Sequence, residues 1–216
     1  MHNSINIQTT TDVHYHLQGN LQSDKVYLAL HGVMEKGSKM LRRISDVLPK
    51  DALILAPDGP FPIPIKNENG YNVCYAWYFY DNIKNIYLID YEYSANLLHN
   101  LLVELQLDKK DLIIIGYSQG GYLAPFVAQK CSQAKYIIGL ACVLKEDLFA
   151  SKLTIPFSLV HSKTDKMVSY EGSKKYFDII SKYNKKCEFI TIEREDHFYN
   201  EQYSKALKVI LETNIL

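Results

Sequence analysis

Short apolar runs alternate with stretches of helical periodicity along most of this chain. Val26–Leu30, Ala52–Ala56, Asp111–Ile115, Tyr136–Ala141, Phe157–His161 and Glu188–Ile192 are rich in apolar, β-branched and aromatic residues. Such runs read as strands covered on both faces. Between them Leu98, Leu101, Leu102 and Leu105 recur at helical spacing, as do Phe177 with Ile180 and, near the end, Tyr203, Leu207, Ile210 and Leu211. This alternation predicts a three-layer α/β domain: a mostly parallel sheet, right-handed crossovers and helices on both faces. The start of the chain differs. Ile5–Gln8 and Val13–Leu17 alternate at period two around Thr9–Asp12, which predicts an antiparallel edge hairpin with His14 and His16 facing solvent.

One segment follows neither period. Residues 58–93 are dense in proline and aromatics, including Phe61, Pro62, Pro64, Tyr71, Tyr75, Trp77, Tyr78, Phe79 and Tyr80. We read it as a long irregular loop inside a single domain spanning 1–216, and such loops are usually functional. Its side chains would shelter an apolar substituent, with Trp77, Phe61 and Tyr78 as the expected wall. They could instead plug the sheet edge or a homodimer interface.

Composition removes whole classes of function. Lys+Arg and Asp+Glu are both 24 and the formal net charge is +0, so there is no electrostatic case for nucleic acid. The lysines Lys174, Lys175, Lys182, Lys185 and Lys186 read as a solvated helix face. The 4 cysteines, Cys74, Cys131, Cys142 and Cys187, have neither C-x-x-C spacing nor a metal-type pairing with histidine, and read as free thiols. Met1–Asn6 lacks the basic start and apolar stretch of a signal peptide. No run approaches the roughly 18 apolar residues of a membrane span. The expectation is a soluble protein of a reducing, cytoplasmic compartment.

The chemistry starts at Gly116-Tyr117-Ser118-Gln119-Gly120-Gly121, directly after Leu112–Ile115. Gly-x-Ser-x-Gly between a strand and a helix lifts a serine out of the sheet on a strained turn, and bulkier residues at the flanking positions would collide where strand and helix cross. The next amide, on Gln119, is then free to receive an oxyanion. In a parallel sheet reactive groups gather at the carboxyl ends of strands. His31-Gly32-Val33, Ser118, Asp165 and His197 all follow predicted strands, and the order serine, acid, histidine is that of α/β-hydrolases. Serine is a weak nucleophile without a base, and the base needs an orienting acid. His197 is the best base of the 7 histidines, because it lies between the last strand and a helix. His31 reads as an orienting residue beneath the loop that follows it, and His161 as a structural histidine. For the acid, Asp165 competes with Glu193, Glu195 and Asp196; a residue adjacent to the histidine rarely folds back onto its ring.

On these residues the chain resembles the carboxylesterase/phospholipase/acyl-protein-thioesterase branch of the α/β-hydrolases. The resemblance rests on Leu30–Val33, Ala56–Pro60, Trp77–Tyr80, Gly116–Gly121, His161–Asp165 and Asp196-His197, and spans nearly the whole chain. It implies Ser118 as nucleophile, Asp165 as acid, His197 as base, and the Val33 and Gln119 amides as the oxyanion hole. It also implies a small acyl ester or thioester substrate, no metal or organic cofactor, and a minimal cap. The chain departs from the branch at three points. Ser162 stands where glycine usually follows the strand-ending histidine. Glu193–Asp196 replaces a glycine-containing approach to His197. Cys142-Val143-Leu144-Lys145 lacks the usual serine-glycine turn and following proline. These bear on loop geometry and substrate preference. The rival reading is a non-catalytic protein of the same fold that binds a small apolar ligand or a partner.

Overall fold

The apolar runs fold as strands and the periodic stretches as helices. The structure, a computed structural model, describes residues 11–81, 83–193 and 196–216. In chain order the elements are β1 Tyr15–Gln18, β2 Lys25–Leu30, α1 Gly37–Ile44, β3 Leu53–Pro57, β4 Phe61–Asn67, β5 Gly70–Ala76, β6 Phe79–Asp81 and β7 Ile86–Ile89. They continue with α2 Glu92–Glu104, β8 Asp111–Tyr117, α3 Gln119–Lys130, β9 Ala134–Leu140, β10 Phe157–Ser162, α4 Tyr170–Ile180, β11 Cys187–Ile192 and α5 Glu201–Asn214. A 7-stranded sheet runs β1-β3-β2-β8-β9-β10-β11, parallel except where β1 meets β3. β1 is the expected antiparallel edge; Ile5–Gln8, assigned to its hairpin partner, lies outside the described residues.

Period two along each strand feeds two separate cores. Val26, Leu28 and Leu30 of β2 join Leu98 and Leu102 of α2, Leu123 and Val127 of α3 and Ile180 of α4 on one face. Tyr27 and Ala29 join Met40 and Ile44 of α1 and Tyr203, Leu207, Ile210 and Leu211 of α5 on the other. The result is the three-layer α/β-hydrolase architecture, with the carboxyl ends of β2, β8, β10 and β11 opening on the same side. The cysteines are free. Among the described residues no helix is long and apolar enough to cross a membrane.

The 58–93 segment differs from expectation. It forms two antiparallel hairpins, β4–β5 and β6–β7, each a two-stranded sheet of its own. Proline density concealed β4. Pro62 and Pro64 occupy alternate, exposed positions of a strand that has a partner on one side only, where a missing N–H is tolerated, while Phe61, Ile63 and Ile65 alternate inward.

Candidate active site

β8 delivers Ser118 to the mouth of α3. Ser118 has φ 49° and ψ −118°, a conformation that L-residues rarely hold, and its own N–H donates to Leu140 O at 2.8 Å. The flanking glycines are steric necessities. A Cβ on Gly116 would meet the Gly120 carbonyl, and one on Gly120 would meet the Leu30 carbonyl. Gln119 is the first residue of α3, so its amide is among those a helix leaves without an internal partner.

The Ser118 hydroxyl lies 3.0 Å from His197 Nε2, and His197 Nδ1 lies 2.8 Å from Asp165 Oδ2. The carboxylate accepts at Nδ1–H, which leaves Nε2 with a lone pair for the serine hydroxyl. All three side chains are at or near full burial. The His197 backbone is tied down by Tyr117, whose hydroxyl donates to His197 O at 3.0 Å.

Asp165 is held from both sides. Its Oδ1 accepts the Met167 and Val168 amides at 2.8 and 2.9 Å, the geometry of a turn aspartate, while Oδ2 faces His197. His161 Nε2 lies 3.2 Å from Oδ2 and 3.2 Å from Val168 O, two acceptors, so that nitrogen carries the proton. Burial opposes charge on Asp165, but the hydrogen bonds from His197 and the two amides outweigh it and hold the carboxyl below its ordinary value. Of the rival acids, Glu193 is paired with Lys163 at 2.8 Å and Asp196 accepts the His197 amide at 2.7 Å. Glu195 lies outside the described residues.

The loop carrying Val33 is fixed by contacts that sequence reasoning missed. The Met34 amide donates to Tyr75 O, the Tyr75 amide donates to Glu35 O, both at 2.9 Å, and the Gly32 amide donates to Glu35 Oε2 at 3.2 Å. Arg43 grips Glu35 with both terminal nitrogens, at 2.6 and 2.8 Å, and Lys39 reaches it at 2.7 Å. The Arg43 guanidinium lies 4.5 Å from the Tyr117 ring centroid. Burial works against the Glu35 charge, yet the Arg43 and Lys39 hydrogen bonds overcome it and keep the carboxyl below its usual range. Glu35→Ala therefore leaves a largely buried guanidinium without its acid; the loss should approach, from below, the cost of about 3–5 kcal/mol for a fully buried pair broken on one side. We expect a lower unfolding midpoint in urea, and an unchanged midpoint would contradict the clamp.

His31 sits beneath this loop, as expected. Its Nδ1 is 2.7 Å from Gly32 O and so donates, while Nε2 accepts the Gly59 amide at 3.0 Å. Burial lowers the pKa of both His31 and His161. An unfolded histidine gains a proton near about pH 6.5, whereas these folded ones resist it, so their contribution to stability is present above that pH and lost below it. Unfolding at about pH 6 should accordingly take up protons, and the Tm should fall from about pH 7.5 to about pH 5.5. Calorimetry in buffers of different ionisation enthalpy checks the sign, and proton release would contradict it.

A cavity of about 510 Å³ opens beside Ser118 and His197. Val33 and Gln119 line it, and so does Tyr78. The other two expected wall residues do not. Trp77 has no exposed surface; its indole N–H donates to His31 O at 2.8 Å and its amide to the Gln119 side chain at 2.8 Å. It is a core residue behind the site, because its ring points inward from the end of the β4–β5 hairpin. Phe61 packs against Tyr93 and against Phe79, which does line the cavity, at 5.5 and 5.7 Å between ring centroids, and is not itself in the lining. Trp77→Ala should thus cost about 3–5 kcal/mol of folding free energy, as large core truncations do. A urea titration showing a loss below about 1 kcal/mol would contradict its core placement. The wall instead includes Tyr80, Tyr87, Tyr122 and Lys145, with Met34, Met167 and Phe198 around it. Tyr122 and Phe198 had a signal: they lie four residues after the elbow serine and one after the histidine.

The phospholipase/carboxylesterase family model matches residues 17–215. Esterase PE8 superposes with a TM-score of 0.72 at 18% identity, covering 94% of this chain and 99% of that one. Acyl-protein thioesterase 2 of Zea mays gives 0.71 at 20% identity, over 95% of this chain and 99% of that one. A carboxylesterase from Mesorhizobium loti gives 0.69 at 14% identity, over 89% and 90%. At these identities the structural likeness is one of fold.

Proposed function

The chain belongs to the phospholipase/carboxylesterase family, and from that premise we propose that it is a serine hydrolase cleaving acyl esters or thioesters through an acyl-enzyme on Ser118. The observation that carries this reading is the continuous hydrogen-bonded line from Ser118 Oγ through His197 to Asp165, at 3.0 and 2.8 Å. Ser118 Oγ attacks the acyl carbonyl carbon while its proton passes to His197 Nε2, and Asp165 stabilises the imidazolium that forms. The developing oxyanion sits between the Gln119 and Val33 amides. Collapse breaks the bond to the alcohol or thiol, which leaves with the proton from His197. Water, deprotonated by the same nitrogen, then attacks the acyl-enzyme and frees the carboxylic acid and Ser118. No step calls on a metal or organic cofactor.

The cavity wall of aromatic rings, rimmed by Met34, Met167 and Phe198, suits an acyl chain held out of water. Burial of each methylene is worth about 0.8 kcal/mol, so kcat/KM should rise by at most about three- to fourfold per added carbon until the cavity is full. A panel of aryl esters and matched thioesters of increasing acyl length tests both parts. The reading requires turnover that increases with length and disappears in Ser118→Ala; absence of turnover across the panel would favour the non-catalytic binding alternative.

A further inference from the structure

We propose that the cavity beside Ser118 recognises an anionic group on the substrate, a carboxylate or phosphate, and that Lys145 is the residue that selects it; this rests on the hydrolase reading above. Lys145 belongs to the Cys142–Lys145 segment, where the chain departs from the family pattern. Its ammonium lies 4.9 Å from the Tyr80 ring centroid and 5.9 Å from that of Tyr122. Both rings line the same cavity as Ser118 and His197, and Lys145 is the one lysine or arginine among the described residues of that lining.

The charge is not neutralised by a direct partner. Among the described residues no ion pair forms with Lys145. Among the described residues of the lining the one carboxylate, Glu35, is taken by Arg43 and Lys39. The next acids along the chain make no ion pair with it: Glu146 accepts the Tyr183 hydroxyl at 3.4 Å, and Asp147 acts on Tyr176 and, through space, on Tyr87 of the cavity wall. Ring faces attract an ammonium without using up its N–H donors. Lys145 therefore keeps donors for a substrate anion, in a partly enclosed space where charge is less screened. Burial raises the pKa of Tyr78, Tyr87 and Tyr122, so their hydroxyls stay protonated and can add further donors. A quaternary ammonium, which aromatic rings would otherwise welcome, is disfavoured because Lys145 already occupies two of them and repels it.

Two substrate pairs locate the anion. 4-Nitrophenyl hemisuccinate against 4-nitrophenyl methyl succinate places it on the acyl side, and 3-carboxyphenyl butyrate against 3-carbamoylphenyl butyrate places it on the leaving group. In at least one pair the wild type should prefer the anionic member in kcat/KM by about tenfold. Lys145→Met should bring that ratio to about one and Lys145→Arg should keep it. Equal treatment of both members in both pairs, or a ratio indifferent to Lys145→Met, overturns the proposal. Equilibrium binding of the same four compounds to Ser118→Ala protein reads the selectivity without turnover. If the wild type cleaves nothing, the hydrolase reading fails, and this titration still decides for or against Lys145.

Discussion

Ser118→Ala is expected to lower kcat by roughly 10⁶ while leaving the fold intact, because the attacking atom is lost and a substrate carbonyl can then meet only water. The side chain itself does little for stability. The strained φ of 49° is imposed by the strand–helix junction and by Gly116 and Gly120, which remain. The informative experiment is the double variant. Adding His197→Ala to Ser118→Ala should cost little more, since a nucleophile and its base act as a unit. Single-turnover and steady-state rates on one activated ester would show it. A double variant whose loss equals the product of the two single losses would mean that Ser118 and His197 do not share a mechanism.

Asp165→Asn should cost roughly 10⁴ in kcat, the second largest effect, by presenting an amide where the imidazole needs an acceptor at Nδ1–H. The carboxylate position has further obligations, because Oδ1 receives two backbone amides and Oδ2 also lies near His161. The isosteric amide preserves one acceptor oxygen, so either the turn or the histidine contact must give way. Circular dichroism and the urea midpoint of Asp165→Asn separate a catalytic loss from unfolding. Glu193→Gln and Asp196→Asn should change kcat little, since the first pairs with Lys163 and the second accepts a backbone amide. A crippling loss in either would move the acid role to that residue.

Much of this arrangement can be read from the chain because a buried parallel strand has a distinctive composition. Leu112–Ile115 and Val26–Leu30 must be apolar on both faces, and the elbow after β8 tolerates nothing larger than glycine at Gly116 and Gly120. The placement of Asp165 and His197 in the loops beyond the carboxyl ends of β10 and β11 follows from the same sheet logic. What remained hidden depends on chain segments meeting across the fold. β4 was obscured by Pro62 and Pro64, whose effect on a strand depends on whether it has one neighbour or two. α1 is short and buries Met40 and Ile44, too few residues to announce a stripe. The Glu35–Arg43 clamp and the cation–π seat of Lys145 join residues whose pairing no local pattern encodes. Trp77 shows the limit of composition: an aromatic-rich stretch beside the candidate active site supplies both wall and core, and only the direction of each ring tells them apart.

Every other expected effect on turnover depends on attack by Ser118 activated by His197, and reaction with a fluorophosphonate followed by peptide mass spectrometry reads that attack without a substrate. One adduct is expected, on the peptide carrying Ser118, formed far more slowly in His197→Gln and absent in Ser118→Ala. An adduct on another residue, no adduct in the folded wild type, or a labelling rate indifferent to His197→Gln would contradict it.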